Sequence, residues 1–156
     1  MARSSSPQGA AGFTLTEILI AVAIVAVLTA AAIPAFKKQR DKTKTMQAVA
    51  DVSGVSVKIT NFRLDSNRFP EDLLEIGFDK LDPWGRPYEY LNYETMKGNG
   101  QARKDKKLKP LNSDFDLYSV GPDGLSQAPL NAKASRDDIV RARDGKFVGI
   151  AEDFDP

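Results

Sequence analysis

Cysteine and histidine are both absent from the 156 residues of the chain. Without cysteine there is no disulfide framework, zinc-thiolate site, iron-sulfur cluster or covalently attached haem. Without histidine the commonest general base and the commonest transition-metal ligand are missing, so Ser-His-Asp, Cys-His and HExxH chemistry are excluded by composition. Catalysis would have to rest on carboxylates or lysines, and no carboxylate pair suggests a pocket, so the expectation is that the chain is not an enzyme. An excess of charge of one sign is also lacking. Lys and Arg total 22 against 21 Asp and Glu, which leaves no global field to draw in nucleic acid or acidic substrates. Any basic patch must be local.

What the chain does have is one long apolar run, Ile18 to Ile33, within a stretch from Phe13 to Phe36 rich in Ala, Val, Ile and Leu. As a helix this stretch is about 36 Å long, enough to cross a bilayer core. It is apolar on every side, as a membrane span requires. A cleaved secretory signal is the rival reading, with Thr29-Ala30-Ala31-Ala32 as its small-x-small site. The residues after Ile33, Pro-Ala-Phe-Lys-Lys, suit such a cut poorly, and a single membrane anchor is preferred. Glu17 sits at the mouth of the run, where an ionisable group is a functional candidate; the bland reading is a carboxylate hydrated at headgroup level. Lys37, Lys38, Arg40, Lys42 and Lys44 follow the run, whereas Arg3 alone precedes it. By the positive-inside rule taken alone, the C-terminal part would stay in the cytoplasm.

Pro34 removes a backbone donor, so it either loosens a continuing helix or marks its end. Beyond it, Met46, Val49, Val52, Val55, Ile59 and Phe62 recur every three or four residues, one apolar stripe on a charged helix. The spacing predicts a helix from Phe13 to about Arg63, divided into a span (13–36) and a half that backs a globular head (37–64). Phe13, Phe36 and Phe62 are its only aromatics, too widely spaced to stack along one subunit.

The head occupies 65–156. Pro70, with Glu71 and Asp72 beside it and Gly77 closing, predicts a short second helix. Asp82-Pro83 and Gly85-Arg86-Pro87 are turn chemistry, and Tyr88 to Tyr93 alternate as a strand. Trp84, the only tryptophan, is expected to anchor the core over the helix stripe. KGNGQARKDKKLKP, 97–110, reads as a solvated basic hairpin tip, or as a contact surface for an acidic neighbour such as Glu152-Asp153-Phe154-Asp155 or for DNA. It has no interleaved aromatics, so no clear nucleic-acid site is expected. In DFDLYSVGPDG, Phe115, Leu117 and Ser119 share one strand face and Asp116, Tyr118 and Val120 the other. A last strand is expected at Phe147 to Ile150. The sum is an α+β fold, one long helix on a hairpin or three-stranded antiparallel sheet.

GFTLTEILIAV resembles the N-terminal signal of type IV pilins and type II secretion pseudopilins. DPWGRPYEY and DLYSVGPDG with DDI are similar to the major, G-type, pseudopilins, so the resemblance spans nearly the whole chain from Gly12. It implies the pilin fold, and a prepilin peptidase that cuts between Gly12 and Phe13, removes 1–12 and methylates the new amine. Glu17 would then neutralise the amine of a neighbouring Phe13 during assembly, with Pro34 loosening the helix. The subunit would sit in the bacterial inner membrane with its head in the periplasm and polymerise with itself on an assembly platform, alongside minor pilin-like subunits. The product would be a secretion pseudopilus, or a type IV pilus for adhesion, motility or DNA uptake; a solitary membrane-anchored binding domain is the reading from another class.

The resemblance also implies calcium behind DLYS. Asp123 and Asp138 would be side-chain ligands, with the carbonyl of Val120, Asp137 and Ser135 completing six to eight oxygens. Arg136 and a loop that is not glycine-rich depart from that pattern. Alternatively, Asp137 and Asp138 cap a short helix starting at Ile139. The spacing is not that of an EF-hand.

Overall fold

The computed structural model describes residues 12–98 and 100–155. The expected leader, 1–12, lies outside the described residues apart from Gly12. The chain divides into two compact units, Met1–Arg40 and Asp41–Pro156. A single α-helix, α1 (Leu15–Ser66), begins in the first unit and ends in the second.

Within the first unit, α1 is long and apolar enough to cross a membrane. Its large apolar side chains find no cover among the described residues: Leu15, Leu19, Val22, Val25, Leu28 and Ile33 are all more than half exposed. Pro34 lies inside α1, which continues beyond it, so the proline does not mark the end of the helix. The missing N–H leaves the Ala30 carbonyl without its helical donor.

The second unit is built on the other half of α1. Ala48, Val52, Val55 and Ile59 are buried, one face of the helix at the expected spacing. Val49 packs at the margin of this core, whereas Met46 is exposed. Against this face lies a four-stranded antiparallel sheet, one strand more than expected: β1 (Glu89–Asn92), β2 (Phe115–Ser119), β3 (Ile139–Ala142) and β4 (Phe147–Ile150), in that order. The additional strand is β3. It pairs with β4 from Ile139 against Ile150 to Ala142 against Phe147, so Asp137 and Asp138 lead into a strand and do not cap a helix. Arg143 and Asp144 take positive φ values of 52° and 56°, followed by Gly145 at 86°. That backbone turns β3 tightly into β4.

β3 is buried along its whole length because both faces of the sheet are covered. Ile139 joins Phe115, Leu117 and Tyr88 over the α1 face, with Trp84 packed at the edge of that core as expected. Val140 and Ala142 point to a second, smaller core with Leu111, Leu130 and Ala151. The short helix expected from Pro70 to Gly77 is absent; the segment forms turns, with Gly77 at φ 67°. Its side chains still serve the core through Phe69, Leu73, Ile76 and Phe78.

The basic stretch 97–110 is not a free hairpin tip. Ala102 and Arg103 are buried. Lys104 pairs with the 128–130 segment, its N–H donating to Ala128 O at 3.0 Å and its carbonyl accepting from Leu130 N at 2.9 Å. Lys97, Lys106, Lys107 and Lys109 remain exposed.

Candidate functional site

The first part of the candidate site is the start of α1. Thr14 Oγ1 accepts from Glu17 N at 3.2 Å, and Glu17 Oε2 accepts from Thr14 N at 2.8 Å and from Thr14 Oγ1 at 2.9 Å. This reciprocal pattern is a capping box, which satisfies two of the N–H groups that a helix start leaves unpaired. Thr14-Leu15-Thr16-Glu17 carries the T-x-x-E signature of that box, a signal in the sequence that the charge-pairing reading passed over. Glu17 thus has a local task in the single subunit: its carboxylate is held at the very end of the helix, where the dipole favours negative charge. Gly12 and Phe13 precede the cap, and Phe13 is exposed. The bond between them is therefore outside the helix and ahead of the apolar run.

The second part is where the two sequence blocks of the head meet. Asp82 is buried and accepts at Oδ1 from Trp84 N at 3.0 Å and Arg86 N at 2.9 Å, shaping the DPWGR turn. Its Oδ2 accepts from Ser119 Oγ at 2.6 Å, and Ser119 Oγ accepts from Gly121 N at 3.2 Å. Arg86 Nη1 donates to Gly121 O at 2.7 Å. One aspartate and one arginine therefore tie DPWGR to the end of DLYSVG. Gly121 has φ 66°, and a Cβ there would strike the Asp137 carbonyl, so both conformation and space require glycine.

Four of the five expected calcium donors already hold hydrogen-bond partners within the chain. Asp123 Oδ1 accepts from Leu125 N at 2.8 Å, and Asp137 Oδ2 accepts from Asp123 N at 3.2 Å. Ser135 Oγ accepts from Gln127 N at 2.8 Å and donates to Gln127 O at 2.7 Å. Asp138, fully buried, accepts at Oδ2 from Arg103 Nη2 at 2.5 Å and from Ser126 Oγ at 2.7 Å. Val120 is half-buried between β2 and Gly121. Among the described residues no group of three or more acidic side chains is placed to hold a metal. Asp138 Oδ1 is buried and unpaired, but its carboxylate is already neutralised by the Arg103 guanidinium, a poor setting for an ion that takes six to eight oxygens. The donors do not fit the ion.

Arg103, inside the supposedly solvated basic stretch, is the residue that sequence reasoning missed. Its backbone N–H donates to Asp116 Oδ2 at 2.6 Å, its guanidinium also bonds Ser126, and it lies 4.2 Å from the centre of the Tyr118 ring. Burial pushes the carboxyl groups of Asp116 and Asp138 above the ordinary carboxylate range, and Arg103 acts on both in the opposite direction. The exposed lysines of the stretch have a different setting: Lys106 and Lys107 line an open cleft of about 330 Å³ together with Arg136, Glu152, Phe154 and Asp155. Basic stretch and acidic tail thus border the same hollow.

Residues 8–33 match the prokaryotic N-terminal methylation motif. The type II secretion system core protein G of Pseudomonas aeruginosa is 29% identical over 135 residues, 72% of this chain and 84% of that protein. The chain is pilin-like, of the G-type pseudopilin kind. The core protein G of Escherichia coli K12 is 27% identical over 72% of this chain and 82% of its own length, and that of Klebsiella pneumoniae 26% identical over 86% and 96%. No solved structure matches. The first part of the candidate site lies within the matched motif, immediately ahead of the apolar helix.

Proposed function

We propose that the chain is the structural subunit of a type II secretion pseudopilus, cut between Gly12 and Phe13, methylated on the Phe13 amine and polymerised from the inner membrane. The observation that carries this reading is the first half of α1. A helix whose apolar side chains all face outward must be covered by lipid or by like helices, and its carboxylate stands at the end where a new amine would arise.

In the membrane the subunit keeps Glu17 in its own capping box. On assembly the carboxylate meets the amine of a neighbouring Phe13, and opposite charges in a low-dielectric surrounding attract strongly while an unpaired one is costly. Helices then replace lipid around one another, and repetition of one head-to-tail contact gives an open helical fibre. The head stands in the periplasm, and prepilin peptidase, an assembly platform and minor pilin-like subunits are the partners this pathway needs. The role is mechanical, and nothing in it requires a catalytic group.

The test is to overproduce the chain in cells that carry the secretion machinery, shear the surface and examine the sheared fraction by electron microscopy and immunolabelling. Fibres that label for this chain are expected. Protein found only as membrane-bound single subunits would reject the filament and favour a solitary anchored domain.

A further inference from the structure

We propose that two arginines, the buried Arg103 and the half-buried Arg86, and not a divalent cation, close the loop between β2 and β3, so that the head folds and holds its shape without calcium. The loop runs from Val120 to Asp138 with only one short 3₁₀ turn, Lys133–Ser135. A connection that long needs something to fix it. Two guanidinium groups do so from inside the chain.

Arg103 fixes the far end. Both it and Asp138 are almost fully buried, with side-chain exposures of 3% and 0%, and they form an ion pair at 2.5 Å. Ser126, midway along the loop, bonds the same Asp138 oxygen and the Arg103 guanidinium. The Tyr118 ring covers the cation. One arginine thereby joins β2, the middle of the loop and the entry to β3. Arg86 fixes the near end: Nη1 donates to Gly121 O at 2.7 Å, and the guanidinium lies so close to Gly124 that a Cβ there would come within 2.5 Å of it.

Charge and donor supply both exclude the ion from this arrangement. Calcium at Asp138 would stand beside the Arg103 guanidinium, a charge of the same sign. To enter, it would have to break a buried pair and leave the arginine uncompensated. Of the remaining candidates, Ser135 Oγ is engaged by both the N–H and the carbonyl of Gln127, and Asp137 Oδ2 already accepts from the backbone of Asp123. A planar, multi-donor cation built into the chain performs the same neutralisation and bridging without depending on the metal content of its surroundings.

The test uses the full chain in detergent, with Trp84 fluorescence reporting the melting of the head. Wild-type protein is expected to melt within about 1 °C of the same Tm in excess EGTA and in millimolar calcium, and to show no saturable heat of calcium binding, because a ligand of the native state would raise Tm with its concentration. A saturable rise of several degrees would overturn the proposal. Arg103→Met is expected to lower Tm by about 10 °C or more, since it strands a buried carboxylate, and adding Asp138→Asn should restore part of the loss. An Arg103→Met protein that melts like wild type would also overturn it. Should Arg103→Met not fold, Arg103→Lys keeps the charge without the fork; a folded, less stable and EGTA-insensitive protein is then expected, and EGTA sensitivity would count against the proposal. These readouts concern the head and do not depend on whether the subunit polymerises.

Discussion

Substituting Glu17 by alanine should leave a subunit that is processed and folded but forms no fibres. The head is indifferent to this position because its buried core begins at Ala48. Alanine, however, removes two things at once: the box with Thr14 and the charge that the proposed pairing with a neighbouring amine requires. Glu17→Gln separates them. Glutamine can fill the third position of a capping box as glutamate does, but it carries no charge to set against an amine. If charge pairing drives assembly, the glutamine variant fails almost as completely as the alanine variant, with fibre yield down at least about tenfold for each 1.4 kcal/mol of lost pairing. If the cap is what matters, loss of about 1 kcal/mol at one helix end is the whole effect, and the glutamine variant assembles normally. Quantifying sheared fibres from the three proteins at matched expression separates these outcomes, and normal yield from Glu17→Gln would reject charge pairing.

Phe115→Ala should cost the head about 3–5 kcal/mol, the range for removing a large buried aromatic side chain. Phe115 is fully buried at the start of β2. Its ring meets Phe69 edge-on at 5.5 Å and Tyr90 at 5.8 Å, and the Arg141 guanidinium sits 3.9 Å from its centre. Arg141 is itself buried, paired with Asp114 at 2.7 Å and donating to Phe115 O at 3.1 Å. Truncation therefore opens a cavity and uncovers one face of a buried cation. Small domains are stable by only about 5–15 kcal/mol, so the loss is a large share, and Tm should fall by roughly 10–20 °C. Leu74→Ala is the control: that side chain is 66% exposed, and surface changes usually stay within about 0.5 kcal/mol. Thermal melts of the full chain in detergent, followed by Trp84, check both. A Phe115→Ala shift no larger than the control's would mean that the α1–sheet core is not where the head's stability resides.

Much of the architecture was legible because the relevant signals are periodic. The apolar run, the helix stripe through Val52, Val55 and Ile59, the alternation of Phe115 to Ser119 and the last strand at Phe147–Ile150 all agree with the structure. β3 was missed because it does not alternate: both its faces are covered, and a buried Arg141 reads in sequence as a surface residue. Asp144-Gly145 between Ile139–Ala142 and Phe147–Ile150 was the available clue, a dipeptide that commonly turns hairpins. The segment after Pro70 has helix punctuation but is held as turns by its apolar side chains entering the core.

The candidate site was legible in part. Gly12, Phe13 and Glu17 form a local motif that falls within the matched methylation motif, whereas the capping box that Glu17 makes with Thr14 came from the structure. The loop after β2 depends instead on a partner about twenty residues upstream, Arg103, within a run of lysines whose composition suggests solvent. Composition cannot separate the one buried cation from its exposed neighbours; only the long-range pairing with Asp138 does.

The claim on which the account rests is that this chain is cut before its apolar helix and not after it. Intact mass of the protein purified from cells with and without a prepilin peptidase tests it directly. A product that begins at methylated Phe13 and occurs only when the peptidase is present is the predicted result. An unchanged full-length mass in both, or a product that begins near Ala30 to Ala32, would contradict it.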